Sequence, residues 1–220
     1  MSTIYFTSDW HFSHANIIKF CPAFRDITPD EMNDHLIKIW NSAVNPDDVV
    51  YNLGDVSFAR HKDEVIDVLS QLNGKHHLIV GNHDNIITQH REQFLTLKKH
   101  DGNPLLSSIK DYAKLRLKDS GHTLILSHYP MIEWDGCHKG WYHLYGHLHD
   151  RLAKVQGRAL NVGFDLHGRL LSLADIDEFL APLPKVSHFG RDDDMAVNAD
   201  IDHNAKLIKD ELFRMNGLTA

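Results

Sequence analysis

The apolar positions of this chain follow two different periods, and the change between them divides the sequence. In the first half, short apolar runs alternate with amphipathic stretches. Ile4-Tyr5-Phe6-Thr7 reads as a strand. Thr28-Pro29-Asp30-Glu31 offers an N-cap, a first-turn proline and a capping-box glutamate, and Met32, Leu36, Ile39, Trp40 and Ala43 follow at helical spacing. Asn45-Pro46-Asp47-Asp48 breaks that helix, and Val49-Val50-Tyr51-Asn52-Leu53 reads as a second buried strand. Residues 62–72 place Val65, Val68, Leu69 and Leu72 on one helical face before the Asn73-Gly74 stop, and His77-Leu78-Ile79-Val80 is a third strand. This order predicts an α/β layered domain, in which ligands gather at the carboxyl ends of the strands.

Past a helical region near 89–97 the pattern turns to β. Segments 108–117, 123–127, 142–145, 158–162 and 169–173 read as short strands, predicting a second sheet packed on the first. A short helix over 176–180 ends at Pro182-Leu183-Pro184, the polar Arg191-Asp192-Asp193-Asp194 reads as a linker, and 201–215 reads as an amphipathic helix closed by Asn216-Gly217. A domain over 1–181 and an extension over 182–220 are therefore expected. The apolar face of the last helix (Ile201, Leu207, Ile208, Leu212, Met215) suits the core or a second copy in a homo-oligomer.

Composition narrows the function. With 42% apolar and 24% charged residues the chain is ordinarily globular, and no apolar run reaches membrane-spanning length. Met1-Ser2-Thr3-Ile4-Tyr5 lacks the basic start of a signal peptide, so a cytoplasmic location is expected. A net charge of −7 argues against a broad footprint on nucleic acid or an anionic membrane, while leaving room for a small phosphate ester or nucleotide. The two cysteines, Cys21 and Cys137, make no disulfide framework. Histidine is the anomaly, at 18 residues.

Several of those histidines stand at strand ends. Ser8-Asp9-Trp10-His11 follows the first strand, with Asp9 and His11 expected on one side by period-two alternation; Gly54-Asp55 follows the second and Gly81-Asn82-His83-Asp84 the third. In the β-rich half, Ser127-His128 and Gly146-His147-Leu148-His149 occupy the same kind of place. Each motif alone has a bland reading as a turn, a cap or a half-exposed strand histidine; together they assemble Asp9, His11, Asp55, Asn82, His128, His147 and His149. That is too many ligands for one catalytic ion and suits two ions bridged by one carboxylate. Nitrogen and oxygen donors without thiolate suit manganese, iron, zinc or cobalt, and ligand type does not choose among them; manganese is the expected ion. Two such ions activate water for displacement at phosphorus, and His83, with Asp84 to hold its tautomer, is placed to protonate the leaving oxygen. His14, Asn16 and Arg25 are weaker, substrate-facing candidates with a solvated surface as the competing account. Trp134 and Trp141 divide in the same way between base stacking and core packing.

Asp9-Trp10-His11, Gly54-Asp55, Gly81-Asn82-His83-Asp84, His128 and Gly146-His147-Leu148-His149, in that order, resemble the motifs of the calcineurin-like metallophosphoesterases. The resemblance spans nearly all of 4–176 and points to the compact bacterial and phage members, which read Asp-x-His-Phe-x-His-x-Asn-Ile-Ile as Asp9 to Ile18 do here. It implies a four-layer α-β-β-α sandwich with two facing mixed sheets. It further implies one ion on Asp9, His11 and His149, the other on Asn82, His128 and His147, Asp55 between them, and His83 with Asp84 as the leaving-group pair. Val56-Ser57-Phe58 and Asp84 depart from the protein Ser/Thr phosphatase pattern. The expected activity is phosphodiester hydrolysis by a metal-bridging hydroxide. A phosphomonoesterase or nucleotide pyrophosphatase on the same site is the alternative, and a non-catalytic scaffold is the rival from outside the enzymes.

Overall fold

Alternating strands and amphipathic helices bury their apolar faces by stacking into layers, and the computed structural model, which describes residues 2–25, 27–187 and 198–218, shows that arrangement. The first half runs β1 (Ile4–Thr7), α1 (Ile17–Phe20), α2 (Met32–Ala43), β2 (Val49–Asn52), α3 (Lys62–Gln71), β3 (Lys75–Ile79), α4 (Asn85–Gln89) and α5 (Arg91–Thr96). The second half runs β4 (Ser108–Lys110), β5 (Tyr112–Leu117), β6 (His122–Ser127), β7 (Tyr142–Tyr145), β8 (Ala159–Asn161), α6 (Phe164–His167), β9 (Leu171–Ser172) and α7 (Leu173–Leu180). The fold is an α/β sandwich of two mixed sheets, ordered β4-β3-β2-β1-β9 and β5-β6-β7-β8. In the first, β1 to β4 are parallel and β9 is antiparallel; in the second, only the β5–β6 pair is antiparallel.

Three expectations are corrected. Residues 108–117 are not one strand of the second sheet: the chain breaks at Asp111, β4 pairs with β3 in the first sheet and β5 with β6 in the second. β9 likewise joins the first sheet, beside β1. The capping box at Thr28 does not form either, because α2 begins at Met32 and the Thr28 hydroxyl donates instead to the Glu31 carboxylate at 2.6 Å.

Register is what brings the strand ends together. Thr7 lies opposite Asn52, and Asn52 opposite Leu78, so the loops after β1, β2 and β3 leave the sheet at one level. Leu126 opposite Leu144 does the same for β6 and β7. One core fills the space between the first sheet and its helices, with Trp10, Leu36, Trp40, Val50, Val65 and Leu78. A second lies between the sheets, with Phe6, Leu53, Ile79, Leu124, Leu144 and Ile176. A third covers the outer face of β6 through Ile125, Trp134, Cys137 and Val186. Trp134 is 5% exposed there and Trp141 packs beside it, so packing accounts for the tryptophans.

The chain divides into units Met1–Val186 and Ser187–Ala220. Chain beyond residue 181 still belongs to the first, since Arg158 donates to the carbonyls of Ala181 and Leu183 at 3.1 and 2.9 Å. Within the second, α8 (Ile201–Met215) starts at Asp200, whose side chain accepts from the amides of Asp202 and His203; its apolar residues Ile201, Ile208, Leu212 and Met215 are exposed. The linker expected at 191–194 lies outside the described residues. No described helix is long and apolar enough to cross a membrane.

Candidate metal centre

Six non-glycine residues among those described take positive φ: Asp9 (58°), His11 (48°), Ser13 (64°), Asp55 (54°), His147 (69°) and His149 (53°). Five of them are expected ligands. Period-two alternation is thus not what aligns Asp9 with His11 or His147 with His149; left-handed kinks at the strand ends do, each at a cost of about 1–3 kcal/mol that the surrounding contacts must offset. Trp10, between the first two, turns inward against Trp40 and Phe164 with ring centroids 5.1 and 4.6 Å away. The loops are stitched together by Asp9 N–H to Gly54 O and His11 N–H to Asp55 O, both 3.0 Å. Gly54, at φ 102°, leaves no room for a side chain: a Cβ there would sit 2.6 Å from the Gly81 nitrogen and 2.7 Å from His128 Nδ1.

Two clusters of the expected ligands result. Donor atoms of Asp9, His11 and His149 lie within 4.8 Å of one another, as do those of Asp55, His128 and His147. Asp55 Oδ2 stands between them, 3.6 Å from His11 Nε2 and 3.5 Å from His128 Nε2. Asn82 joins the second cluster, its Oδ1 being 3.0 Å from His128 Nε2 and 2.9 Å from His147 Nδ1.

The electrostatics of these groups suit a cation. His11 is 1% exposed, and neither ring nitrogen has a hydrogen-bond partner. Burial pushes its pKa down to about 3, so it presents a neutral imidazole with an open lone pair. Burial pushes the Asp9 carboxyl up to about 6, the mark of an anion short of countercharge. For Asp55 burial acts upward, but the contacts with His128 and His11 outweigh it and hold the carboxyl at about 2. His128 sends Nδ1 to Leu53 O at 2.7 Å, and His149 sends Nδ1 to Asp165 Oδ2 at 2.8 Å, which leaves Nε2 of each facing the clusters. Orphaned buried nitrogens, outward-tethered imidazoles and a carboxylate between the clusters are groups that could hold divalent ions of the borderline class.

The remaining expectations divide. His83 is exposed beside the clusters, its ring 5.5 Å from His11 and 4.8 Å from Phe58, and its N–H donates to Asp55 Oδ1 at 2.8 Å. Asp84 does not hold the His83 ring. It is 1% exposed, burial raises its pKa to about 6, and its oxygens accept the backbone N–H groups of Gly81 (2.8 Å), Val56 (2.9 Å) and Asp55 (3.0 Å). It therefore clamps the two loops that carry Asp55 and Asn82. His14 and Asn16 line a cleft of about 450 Å³ with Phe58, Arg60 and His61, and His14 stacks on Phe58 at 3.9 Å. Arg25 does not face solvent or substrate: its side chain is wholly buried against Asp165 and the Asp9-Trp10 backbone. Asp165 was missed, although it follows β8 as the other acidic residues follow their strands.

No family model matches the chain. It is 30% identical over 206 residues to the Gene 66 protein of Mycobacterium phage D29, covering 82% of this chain and 96% of that protein. The Gene 66 protein of phage L5 is 28% identical over 196 residues, 80% and 93% of the two chains. An uncharacterized protein of Methanocaldococcus jannaschii is 46% identical over 86 residues, 38% of this chain and 48% of that one. The crystal structure of a protein of unknown function from Aquifex aeolicus superposes with a TM-score of 0.60 at 22% identity, over 82% of this chain and all of the other, which is a likeness of fold. With that identity sustained over nearly the whole phage D29 protein, the chain belongs to the Gene 66 protein family.

Proposed function

We propose that this chain is a calcineurin-like metallophosphoesterase that hydrolyses phosphodiester bonds in a small phosphate ester or nucleotide. The observation that carries the reading is the placement of Asp55 Oδ2, at 3.6 and 3.5 Å, between a nitrogen of each histidine cluster. When bound, two divalent ions, with manganese favoured over iron, zinc or cobalt, lower the pKa of a water and neutralise phosphate oxygens. The protein's own part is positioning. Asp9, His11 and His149 would hold one position, Asn82, His128 and His147 the other, with Asp55 available to both. His83 is the group that protonates the leaving oxygen: its backbone is tied to Asp55 at 2.8 Å while its ring stays exposed over the site. The cleft beside it, lined by His14, Asn16 and Phe58, gives the leaving group a place to lie.

Manganese-loaded protein is expected to hydrolyse bis(p-nitrophenyl) phosphate faster than p-nitrophenyl phosphate. His83→Ala is expected to slow the diester reaction by about 10²–10⁴-fold while keeping its metal. Equal turnover in chelator would refute the metal reading, and a preference for the monoester would refute the diester assignment.

A further inference from the structure

Arg25 is a buried cation beside the clusters that the proposed chemistry leaves without a task. Its side chain is 0% exposed, and each guanidinium nitrogen donates inward: Nη1 to Trp10 O at 2.9 Å, Nη2 to Asp9 O at 2.8 Å and Nε to Asp165 Oδ1 at 2.7 Å. The other oxygen of Asp165 meets His149 Nδ1 at 2.8 Å. An ionised carboxylate can only accept, so Nδ1 carries the proton and the lone pair of His149 is on Nε2. Arg25 thereby acts twice on one cluster. It fixes the backbone of Asp9 and Trp10, in a stretch where Asp9 and His11 hold φ of 58° and 48°, and through Asp165 it fixes the tautomer of His149. The other cluster has ties that bypass Arg25 and Asp165: His128 Nδ1 is held by Leu53 O at 2.7 Å, and Asn82 Oδ1 meets His128 and His147; its link to Asp9 is the His147 backbone N–H, which donates to the Asp9 carboxylate at 3.1 and 3.0 Å.

We propose that Arg25 and Asp165 are positioning residues for the cation position framed by Asp9, His11 and His149. The proposal rests on the two-cation reading above. Asp165→Asn separates tautomer control from packing. The amide oxygen still accepts from Arg25 Nε, but the amide N–H₂ now faces His149 Nδ1, which must accept; the proton moves to Nε2 and closes the lone pair that faces Asp9 and His11. Loss of such an outer partner weakens a metal site by about 10–100-fold.

The test is manganese stoichiometry by elemental analysis of chelated and reloaded protein, joined to ¹⁵N NMR of labelled histidines in the metal-free state. Wild type is expected to hold about two ions per chain. Asp165→Asn and Arg25→Lys are each expected to keep one at unchanged affinity, and Asp165→Asn with Asn82→Ala to hold none. His149 is expected to be protonated at Nδ1 in wild type and at Nε2 in Asp165→Asn. Two ions held by Asp165→Asn at wild-type affinity, or both weakened together, would overturn the proposal while leaving the two-cation reading intact. An Nε2–H tautomer of His149 in wild type overturns it even if no variant folds. Wild type holding no manganese overturns the two-cation reading, and this proposal with it.

Discussion

Asp9, His11, Asp55, His147 and His149 hold left-handed backbones that cost about 1–3 kcal/mol apiece, so something else must over-determine them. Side chains that look like site chemistry in the sequence supply part of that constraint. Asp84 is the clearest case, its carboxylate serving the amides of Gly81, Asp55 and Val56. Asp84→Ala strands three buried donors, and a loss of about 3 kcal/mol or more is expected in urea unfolding of the metal-free protein. An alanine variant as stable as wild type would show that the loops hold themselves. Residue types at strand ends singled out Asp9, His11, Asp55, Asn82, His128, His147 and His149 before any coordinates, and the fold brings their donor atoms near one another. The roles of Asp84 and Arg25 were not legible, because a polar residue beside a motif reads alike whether it faces solvent or the interior. Only the fold shows Arg25 at 0% exposure.

Loops meet only if the strands that carry them end level, and that is a property of register. Thr7 opposite Asn52 and Asn52 opposite Leu78 set the level for β1, β2 and β3. Gly54 then lets the β2 loop pass against Gly81. Gly54 and Gly102 both take positive φ, at 102° and 86°, but a Cβ on Gly102 meets nothing within 4 Å. Gly102→Ala is therefore expected to cost about 1 kcal/mol from backbone strain alone. Gly54→Ala adds a clash with backbone and His128, and is expected to lose more than twice as much stability and to lose manganese. Equal melting temperatures for the two variants would contradict this account of the loop crossing. Helices α2 and α3 and strands β1, β6 and β7 were readable from periodicity, and α8 from its amphipathic spacing. The strand at β9 was read within 169–173 but its sheet was not, and α6, with four residues, was not readable, because contacts with distant chain define them. The division of 108–117 between two sheets was hidden for the same reason.

Two interleaved sheets bury more than the centre. His76 and His143 are both 0% exposed; burial sets the first well below its ordinary pKa and the second at about 4. The unfolded chain binds protons at these histidines from about pH 6.5 downward, while the folded chain resists until much lower. Their contribution is thus complete above pH 6.5 and shrinks as pH falls toward 4, with His143 alone accounting for about 3 kcal/mol. In chelator, so that metal release plays no part, the melting temperature is expected to fall steadily from pH 7 to 4.5. A flat profile would contradict the burial of these two rings. The mixed α/β class was legible from the change of period at about residue 100, whereas strand order was not, since nothing local assigns β4 and β9 to the first sheet. What the molecule as a whole is proposed to do is bring five strand-end loops onto two cations that share Asp55. The most direct measurement is an anomalous difference map from manganese-soaked crystals. The account predicts two peaks about 3.5–4 Å apart, one on each side of Asp55 Oδ2. One peak, or none at Asp55, would contradict it.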